Sequence, residues 1–575
     1  MLCFFGTTAY FPSVFCGAFG VAIKHREVFI FMKIVIVGGV AAGGSAAARA
    51  RRMDDTAEII LLEKGSYVSF ANCGLPYYLG GEIPNRDSLL LVRPELFRNR
   101  FHVQVRLNNE VTEIRRKEKT VLVSSPEGVY EESYDKLILA TGSEPIVPAI
   151  EGAALENIHT VFTIDDVDAI MSKLDNGVEH AVIVGAGFIG IETAENLVKR
   201  GIPTTIVEMK SQILNILDPE FSPPIEAHMK DAGLEVRLNQ SVKAFRGENK
   251  VEEVILSDGT ALPADLVIIS AGVRPRSQLA AAAGLEIGKY GGIVVNEYMQ
   301  TSDPCIYAAG DAAESRHMVT GKPVSVALAG NANKQGRIAG SNAVGGRLRY
   351  QGTLATSILK IFDLTAARTG LTEREALANG LDCFSVFIPA PNSVRYYPDA
   401  GWMILKLTAL KDSGKIIGAQ AVGDKGVDKR IDVIAASIYA GLTVYDLENL
   451  DLCYAPPYSS PKSPEILAGM VASNVLRGDI RLVLPYQLEQ FLKETNAELI
   501  DVREIPEWNA GHIEGARLIP LDELRKNPEQ LDKSKTYAVY CGVGKRAYDA
   551  CRFLTQHGYD VFNVTGGYDA YIMDV

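Results

Sequence analysis

From Met32 onward the chain alternates short, wholly apolar runs with stretches of helical period. Lys33-Ile34-Val35-Ile36-Val37 is such a run, too short for a helix and bounded by glycine. It reads as a strand covered on both faces. A turn rich in glycine, Gly38 to Gly44, leads into a helical run from Ser45 to Met53, and a second apolar strand, Glu58 to Leu62, ends at Glu63. Strand, glycine turn, helix and strand make a βαβ unit. The pattern returns at Ala181 to Val184, with the turn Gly185-Ala186-Gly187-Phe188-Ile189-Gly190, a helix from Ile191 to Arg200, and the strand Thr204 to Val207 ending at Glu208. Further apolar strands close on glycine at Leu137 to Gly142, Leu266 to Gly272 and Ile306 to Gly310. From Gly352 to Arg477 the pattern is mixed α and β without such turns, and beyond it an α/β rhythm resumes, with strands near Glu498 to Val502 and Tyr537 to Tyr540.

Each glycine turn has a chemical meaning. Glycine permits a tight bend and close backbone approach, and the helix that follows offers amide donors and a positive dipole end to a pyrophosphate. An acid at the end of the next strand accepts from a ribose hydroxyl, which makes Glu63 and Glu208 the ribose candidates. The second unit carries the full G-x-G-x-x-G pattern, whereas the first has Val40 where the middle glycine belongs. Two units imply two nucleotides. Glu208 favours NADH because it would repel a 2′-phosphate, and the nearby Lys210 leaves NADPH open.

At 575 residues the chain is too long for a single core. Its formal net charge of -12 argues against non-specific nucleic-acid binding. The eight cysteines, at 3, 16, 73, 305, 383, 453, 541 and 551, include no C-x-x-C pair. That spacing fits neither a disulfide scaffold nor a zinc site, so no metal and a reducing, cytoplasmic setting are expected. The segment 1–31 is aromatic and apolar, with Lys24, His25 and Arg26 after its apolar stretch. That order makes a poor secretory signal, and the stretch is too interrupted to span a bilayer, so translation is expected to start at Met32 and no stable membrane partner is expected.

The two βαβ units, the strand end Ala140-Thr141-Gly142 and the segment Tyr307 to Asp311 together resemble the two-dinucleotide-domain flavoprotein disulfide reductases. The resemblance implies FAD at the first unit and NAD(P)H at the second. It carries over as cofactor-binding positions Gly38, Gly39, Val40, Ala41, Gly43, Glu63, Lys64, Thr141, Gly142, Gly310, Asp311 and Ala329, and Gly185, Gly187, Phe188, Ile189, Gly190, Glu208 and Gly272.

Ser69-Phe70-Ala71-Asn72-Cys73-Gly74-Leu75-Pro76-Tyr77-Tyr78 holds one cysteine where most of the superfamily has two. A lone thiol must cycle with an outside partner, as a mixed disulfide, persulfide or sulfenic acid. The segment is similar to that of the coenzyme A-disulfide reductases and their persulfide-reducing relatives. Pyridine-nucleotide peroxidases and oxidases share the single cysteine but typically place a histidine where this chain has Ala41. The resemblance implies coenzyme A near Cys73, with Ser69 and Asn72 on its pantetheine arm and Ser45, Arg49 and Arg52 nearby. The alternative for Arg49, Arg51 and Arg52 is a solvated helix face. Asn331, Asn333 and Lys334 resemble a segment close to flavin and coenzyme A. Arg395-Tyr396-Tyr397-Pro398 and the run Tyr454 to Lys462 resemble the family's dimerisation domain. In relatives, tyrosines of these segments enter the partner subunit's site: Tyr458 matches one, Tyr397 or Tyr396 the other, and Lys462 joins the substrate set.

Near the C-terminus, Leu499 to Arg503, Gly511 to Ala516 and Val539 to Ala547 resemble rhodanese domains. Cys541 follows a strand and opens a six-residue loop into a helix, which would cradle a thiolate or persulfide in backbone amides. Lys545 and Arg546 would add positive charge, while Cys305, Cys383, Cys453 and Cys551 read as core residues.

The expected fold is α/β: two Rossmann-like domains, an α+β dimerisation domain and a rhodanese-like domain. Its expected boundaries are 32–150 and 273–350 for FAD, 151–272 for NAD(P)H, 351–478 for dimerisation and 479–575 for the tail. The resemblance implies a homodimeric reductase in which NAD(P)H reduces FAD. FAD in turn reduces a mixed disulfide at Cys73, Cys541 relays sulfur, and the substrate is CoA disulfide, CoA persulfide or polysulfide. The alternatives are an NADH oxidase or peroxidase using a Cys73 sulfenic acid, and a flavin-bound redox sensor whose tail docks a partner.

Overall fold

The structure, a computed structural model, describes residues 32–572, so the expectation about the leader lies outside the described residues. The first βαβ unit sits in a five-stranded parallel sheet. Its order is Ile306–Ala308, Lys136–Leu139, Lys33–Val37, Glu58–Leu62 and Val103–Arg106. Ile34, Val35 and Ile36 are fully buried, as covering on both faces requires. The helices Ala41–Met53 and Ala329–Ala343 cross on one side of it at very short range. A Cβ placed on Gly336 or Gly340 would lie 2.2 or 2.3 Å from the carbonyl oxygen of Ala42 or Ala46. Only a missing side chain permits that approach.

The second unit builds its own parallel sheet, ordered Glu235–Arg237, Thr204–Val207, Ala181–Val184, Leu266–Ile269, Ile158–His159. The chain enters this domain through Ser143–Pro145 and leaves it through Val273–Pro275, and the two segments pair antiparallel, Pro145 opposite Val273. A double strap therefore joins the nucleotide domains.

A five-stranded antiparallel sheet follows, ordered Ser357–Ile361, Leu364–Gly370, Ile416–Gly423, Trp402–Leu410, Cys383–Pro391. Helices Val427–Ala440 and Pro464–Leu476 pack against it. The last sheet is parallel, ordered Leu482–Val483, Asp560–Val564, Thr536–Tyr540, Glu498–Asp501, Arg517–Leu518.

A buried charge cluster ties three of these units together. Lys406, in the antiparallel sheet, is 1% exposed, and its Nζ lies 2.9 Å from Asp218 and 2.8 Å from Glu373, with Glu220 also in contact. Asp218 and Glu220 lie between the strands Thr204–Val207 and Glu235–Arg237 of the second nucleotide sheet, and the Tyr486 ring, from the start of the C-terminal unit, lies 5.0 Å from the ammonium. Burial opposes the charge on Lys406, but the surrounding carboxylates and the Tyr486 phenol outweigh it and hold its pKa well above the ordinary lysine value. The C-terminal unit is fastened a second time where Thr565 Oγ1 donates to the Phe387 carbonyl at 2.9 Å.

The helices begin earlier than the hydrophobic pattern indicates. They start at Ala41 and Phe188, inside the glycine turns. Neither start has a side-chain cap, so both leave amide donors free at the turn.

Candidate active site

One cavity of about 1430 Å³ runs from the first glycine turn to the second. Its wall includes Gly38, Gly39, Val40 and Ala41 of the first turn, Glu63 and Lys64, Thr141 and Gly142, and Gly187, Phe188 and Ile189 of the second. Gly272, Gly310, Asp311, Ala329, Asn72 and Cys73 also line it, whereas the expected Gly185 and Glu208 do not.

The turns are built alike. Gly38 and Gly185 take φ of +96° and +108°, and a Cβ on either would lie 2.2 or 2.5 Å from the carbonyl oxygen of Ala140 or Ser270. Gly43 and Gly190 do not line the cavity; a Cβ on them would strike the carbonyl oxygens of Gly38 and Gly185, at 1.8 and 2.1 Å. They close the turn so that the helix can start against the strand. Each strand-end acid is held in the same way. Glu63 accepts from the amides of Gly39 and Gly65 at 2.7 and 2.8 Å, and Glu208 from those of Ala186 and Lys210 at 2.8 and 2.9 Å.

Uncapped helix starts, positive-φ glycines and amide-anchored carboxylates fit two dinucleotides. The residues suited to FAD are those around Gly38, Glu63 and Asp311, and those suited to NAD(P)H lie around Gly187 and Glu208. Burial pushes the Asp311 carboxyl up, while the Ser143 hydroxyl, donating to it at 2.8 Å, opposes that rise.

Cys73 occupies a one-turn 3₁₀ helix, Asn72–Gly74, that runs straight into the helix Leu75–Leu79. Asn72 fastens it to the second nucleotide domain by donating to the Phe162 carbonyl at 3.2 Å. Taken as a whole residue Cys73 is exposed, opening onto the cavity, yet protein crowds its thiol. Burial, then the carboxylates of Glu192 and Asp311, push that thiol above its ordinary value.

The substrate candidates fall into groups. Ser45 donates to Asn333 Oδ1 at 2.7 Å, joining the two crossing helices. Ser69 adopts φ of +52°, its amide bonded to the Gly39 carbonyl at 3.0 Å. Arg49 Nε has no hydrogen-bond partner, and Arg52 stacks over Phe101 at 5.2 Å. The solvated-face alternative fails for Arg51, which is buried and donates to five carbonyls, of Phe101, Asp54, Asp55, Ala57 and His102, locking the helix end, whereas Arg52 is exposed. Tyr397 and Tyr458 lie away from the Cys73 cavity, 38% and 72% exposed, and Lys462 is also on the surface. Tyr458 borders a second cavity with Lys425, Lys429, Arg430 and Cys453. Cys453 is therefore no core residue, because its loop turns it outward, whereas Cys383 and Cys551 are buried as expected and Cys305 is half-buried.

In the C-terminal unit Cys541 directly follows the strand Thr536–Tyr540 and is buried. The loop after it is shorter than expected, since the helix starts at Lys545 and takes Lys545 and Arg546 into its first turn. Arg546 is not a free charge: Glu507 grips it through two bonds of 2.7 and 2.6 Å, and in return the Glu507 carboxyl is held down at about 2.

Family models match in three blocks: the pyridine nucleotide-disulphide oxidoreductase over residues 32–336, its dimerisation domain over 356–463 and a rhodanese-like domain over 484–574. The chain belongs to the pyridine nucleotide-disulphide oxidoreductases. This oxidoreductase is 38% identical over 441 residues to the NAD(P)H sulfur oxidoreductase (CoA-dependent) of Pyrococcus furiosus, a match covering 76% of this chain and 98% of that one. Among solved structures it is similar to reduced CoADR-RHD of Bacillus anthracis, at 44% identity and a TM-score of 0.92, covering 95% of this chain and 98% of that one. It is also similar to an NAD-dependent persulfide reductase from A. fulgidus, at 38% identity and a TM-score of 0.88, covering 94% of this chain and all of the other. The α/β architecture with two nucleotide domains, a dimerisation domain and a rhodanese domain, and the oxidoreductase class with FAD and NAD(P)H, stand on these matches.

Reading the sequence missed Glu192 and left Tyr77 without a role, although both line the Cys73 cavity. Glu192 carried a usable signal, an acid just past the last glycine of the second turn on the helix face that looks back towards it.

Proposed function

We propose that this protein uses NAD(P)H to reduce coenzyme A-linked persulfides and disulfides through a mixed disulfide at Cys73. One observation carries the reading: a single thiol opens onto the cavity shared by both glycine turns, and no cysteine is paired among the described residues. Bound FAD would supply the two-electron relay between nicotinamide and sulfur. Cys73 thiolate attacks the inner sulfur of a persulfide, the S–S bond breaks, and hydrosulfide leaves with the bonding pair. Two electrons and a proton then release the thiol of coenzyme A from Cys73. Ser45, Arg49, Arg52, Ser69, Asn72, Asn333 and Lys462 are the proposed coenzyme A contacts. Cys541 is proposed to pass sulfane sulfur to this chemistry. Tyr397 and Tyr458 are proposed to serve the partner's site in a homodimer, consistent with the phenols the isolated chain leaves outside. Among the described residues no helix is long and apolar enough to cross a membrane, and the proposed setting is the cytoplasm.

The test is anaerobic NADH consumption with CoA persulfide, CoA disulfide and polysulfide. Cys73→Ser is expected to lose about a thousandfold or more in rate with each. Cys541→Ser is expected to keep CoA disulfide reduction and to slow only the use of polysulfide. Ala41, at the cavity wall where oxidases and peroxidases typically have histidine, disfavours the oxygen or peroxide reading. Faster turnover with peroxide or oxygen than with CoA persulfide would reverse that preference.

A further inference from the structure

We propose that Tyr77 and Glu192 form a charge gate on Cys73, in which one proton is shared between the thiol and the carboxyl. The inference rests on the reading of Cys73 as the sulfur nucleophile. Glu192 stands in the helix Phe188–Lys199, beyond the second glycine turn, and faces the same cavity as Cys73. Tyr77 follows Cys73 by one helical turn, and its hydroxyl donates to Glu192 Oε1 at 3.0 Å. The pair thus spans the seam between the two nucleotide domains at the reactive sulfur.

The surroundings leave this carboxyl alone. Its neighbour on the helix, Glu195, is 1% exposed and is paired by Lys199 at 2.5 Å and Lys360 at 3.7 Å. Lys199 and Lys360 also hold Glu82, at 2.5 and 3.1 Å, so both cations are committed elsewhere. Among the described residues Glu192 has no ion pair, and Tyr77 is the only side chain that donates to it. The remaining charge facing Cys73 is Asp311, which accepts from Ser143.

Two negative charges in one enclosed space resist each other, so ionising either group makes the other keep its proton. Burial raises the Glu192 carboxyl to about 7, the Tyr77 hydroxyl draws it down and Glu195 lifts it again. The carboxyl is therefore poised near neutrality, and because the thiol lies above its ordinary value the thiolate is the minor form of the exchange. Cys73–SH with Glu192–COO⁻ becomes Cys73–S⁻ with Glu192–COOH; an S–H bond breaks, an O–H bond forms, and no electron pair leaves the site. The stored proton is then at hand for the reductive step, which consumes one. Glu192 acts here as a positioning residue, through its charge.

The test reads Cys73 alone, in the full-length FAD-loaded protein with its thiols reduced. Brief iodoacetamide pulses across a pH series, followed by mass spectrometry, give the Cys73 titration midpoint, with Cys453 in the same sample as reference. Glu192→Gln, near in shape and neutral, is expected to move the midpoint down by about one pH unit, which is about tenfold faster alkylation below it. Tyr77→Phe is expected to move it down by less, because an undonated carboxyl keeps its proton more tightly. Added to Glu192→Gln, it should change nothing further. A midpoint that stays or rises in Glu192→Gln overturns the gate, as does an equal Tyr77→Phe shift in both backgrounds. If Glu192→Gln does not fold, Tyr77→Phe decides by itself: down supports the gate, unmoved or up overturns it. No sulfur substrate is present, so a protein inactive on persulfides could still show the gate, and an active reductase could lack it.

Discussion

Single residues are proposed to set what the second nucleotide site accepts. Glu208 is held by two amides at the end of its strand, so its charge cannot swing aside for a 2′-phosphate. Glu208→Ala is expected to raise the ratio of kcat/KM for NADPH over NADH by about tenfold, the worth of one removed like-charge contact at partial exposure. Steady-state rates with both nucleotides check it, and an unchanged ratio would remove Glu208 as the discriminator. In the C-terminal unit the Glu507 carboxyl, held at about 2 by Arg546, lies below its ordinary value. A depressed carboxylate stabilises the fold fully above its ordinary range and loses that contribution as pH falls towards 2. Acid unfolding of Glu507→Gln should therefore start from a less stable state at neutral pH and fall less steeply through that window. At this scale the strand-end acids and the lone thiol were legible, because each follows from one turn and its neighbours. Arg51 was not. Whether an arginine on a helix faces water or five carbonyls depends on where the distant segment Phe101–His102 comes to rest, and local spacing carries no record of that.

The helices themselves depend on what is missing from them. Ala41–Met53 and Ala329–Ala343 approach so closely that Gly340 has a carbonyl where its side chain would be. Gly340→Val is expected to cost about 1–3 kcal/mol by overpacking, lowering Tm and loosening FAD retention together. Thermal unfolding followed by both signals tests it, and a lost Tm with intact FAD retention would show that the crossing does not support the turn. Element types were readable from apolar runs and glycine turns. Helix starts were displaced because the first helical residues lie inside the turn, where glycine and small residues show no period. The straps Ser143–Pro145 and Val273–Pro275 went unseen, since three residues are too few to leave a pattern.

Across the whole molecule, packing of the domains relies on Lys406. Lys406→Met would leave Asp218, Glu220 and Glu373 buried without their cation, an expected loss of about 3–5 kcal/mol. Denaturant unfolding should show this as an earlier transition, and limited proteolysis should cut first near Tyr486, where the rhodanese unit is fastened. An unchanged midpoint would mean the cluster is not what joins them. No sequence pattern announces such a cluster, whose members come from four separate stretches of the chain.

The strap between the nucleotide domains has a topological consequence. Because Pro145 and Val273 face one another across it, everything from Ile146 to Gly272 is, in connectivity, one very long hairpin loop. Replacing that span with a two-residue Asn-Gly turn would leave every strand of the first parallel sheet contiguous with its neighbours. The shortened chain should still turn yellow with FAD while ignoring NADH, which would make the electron source a module detachable in connectivity from the flavin-holding sheet.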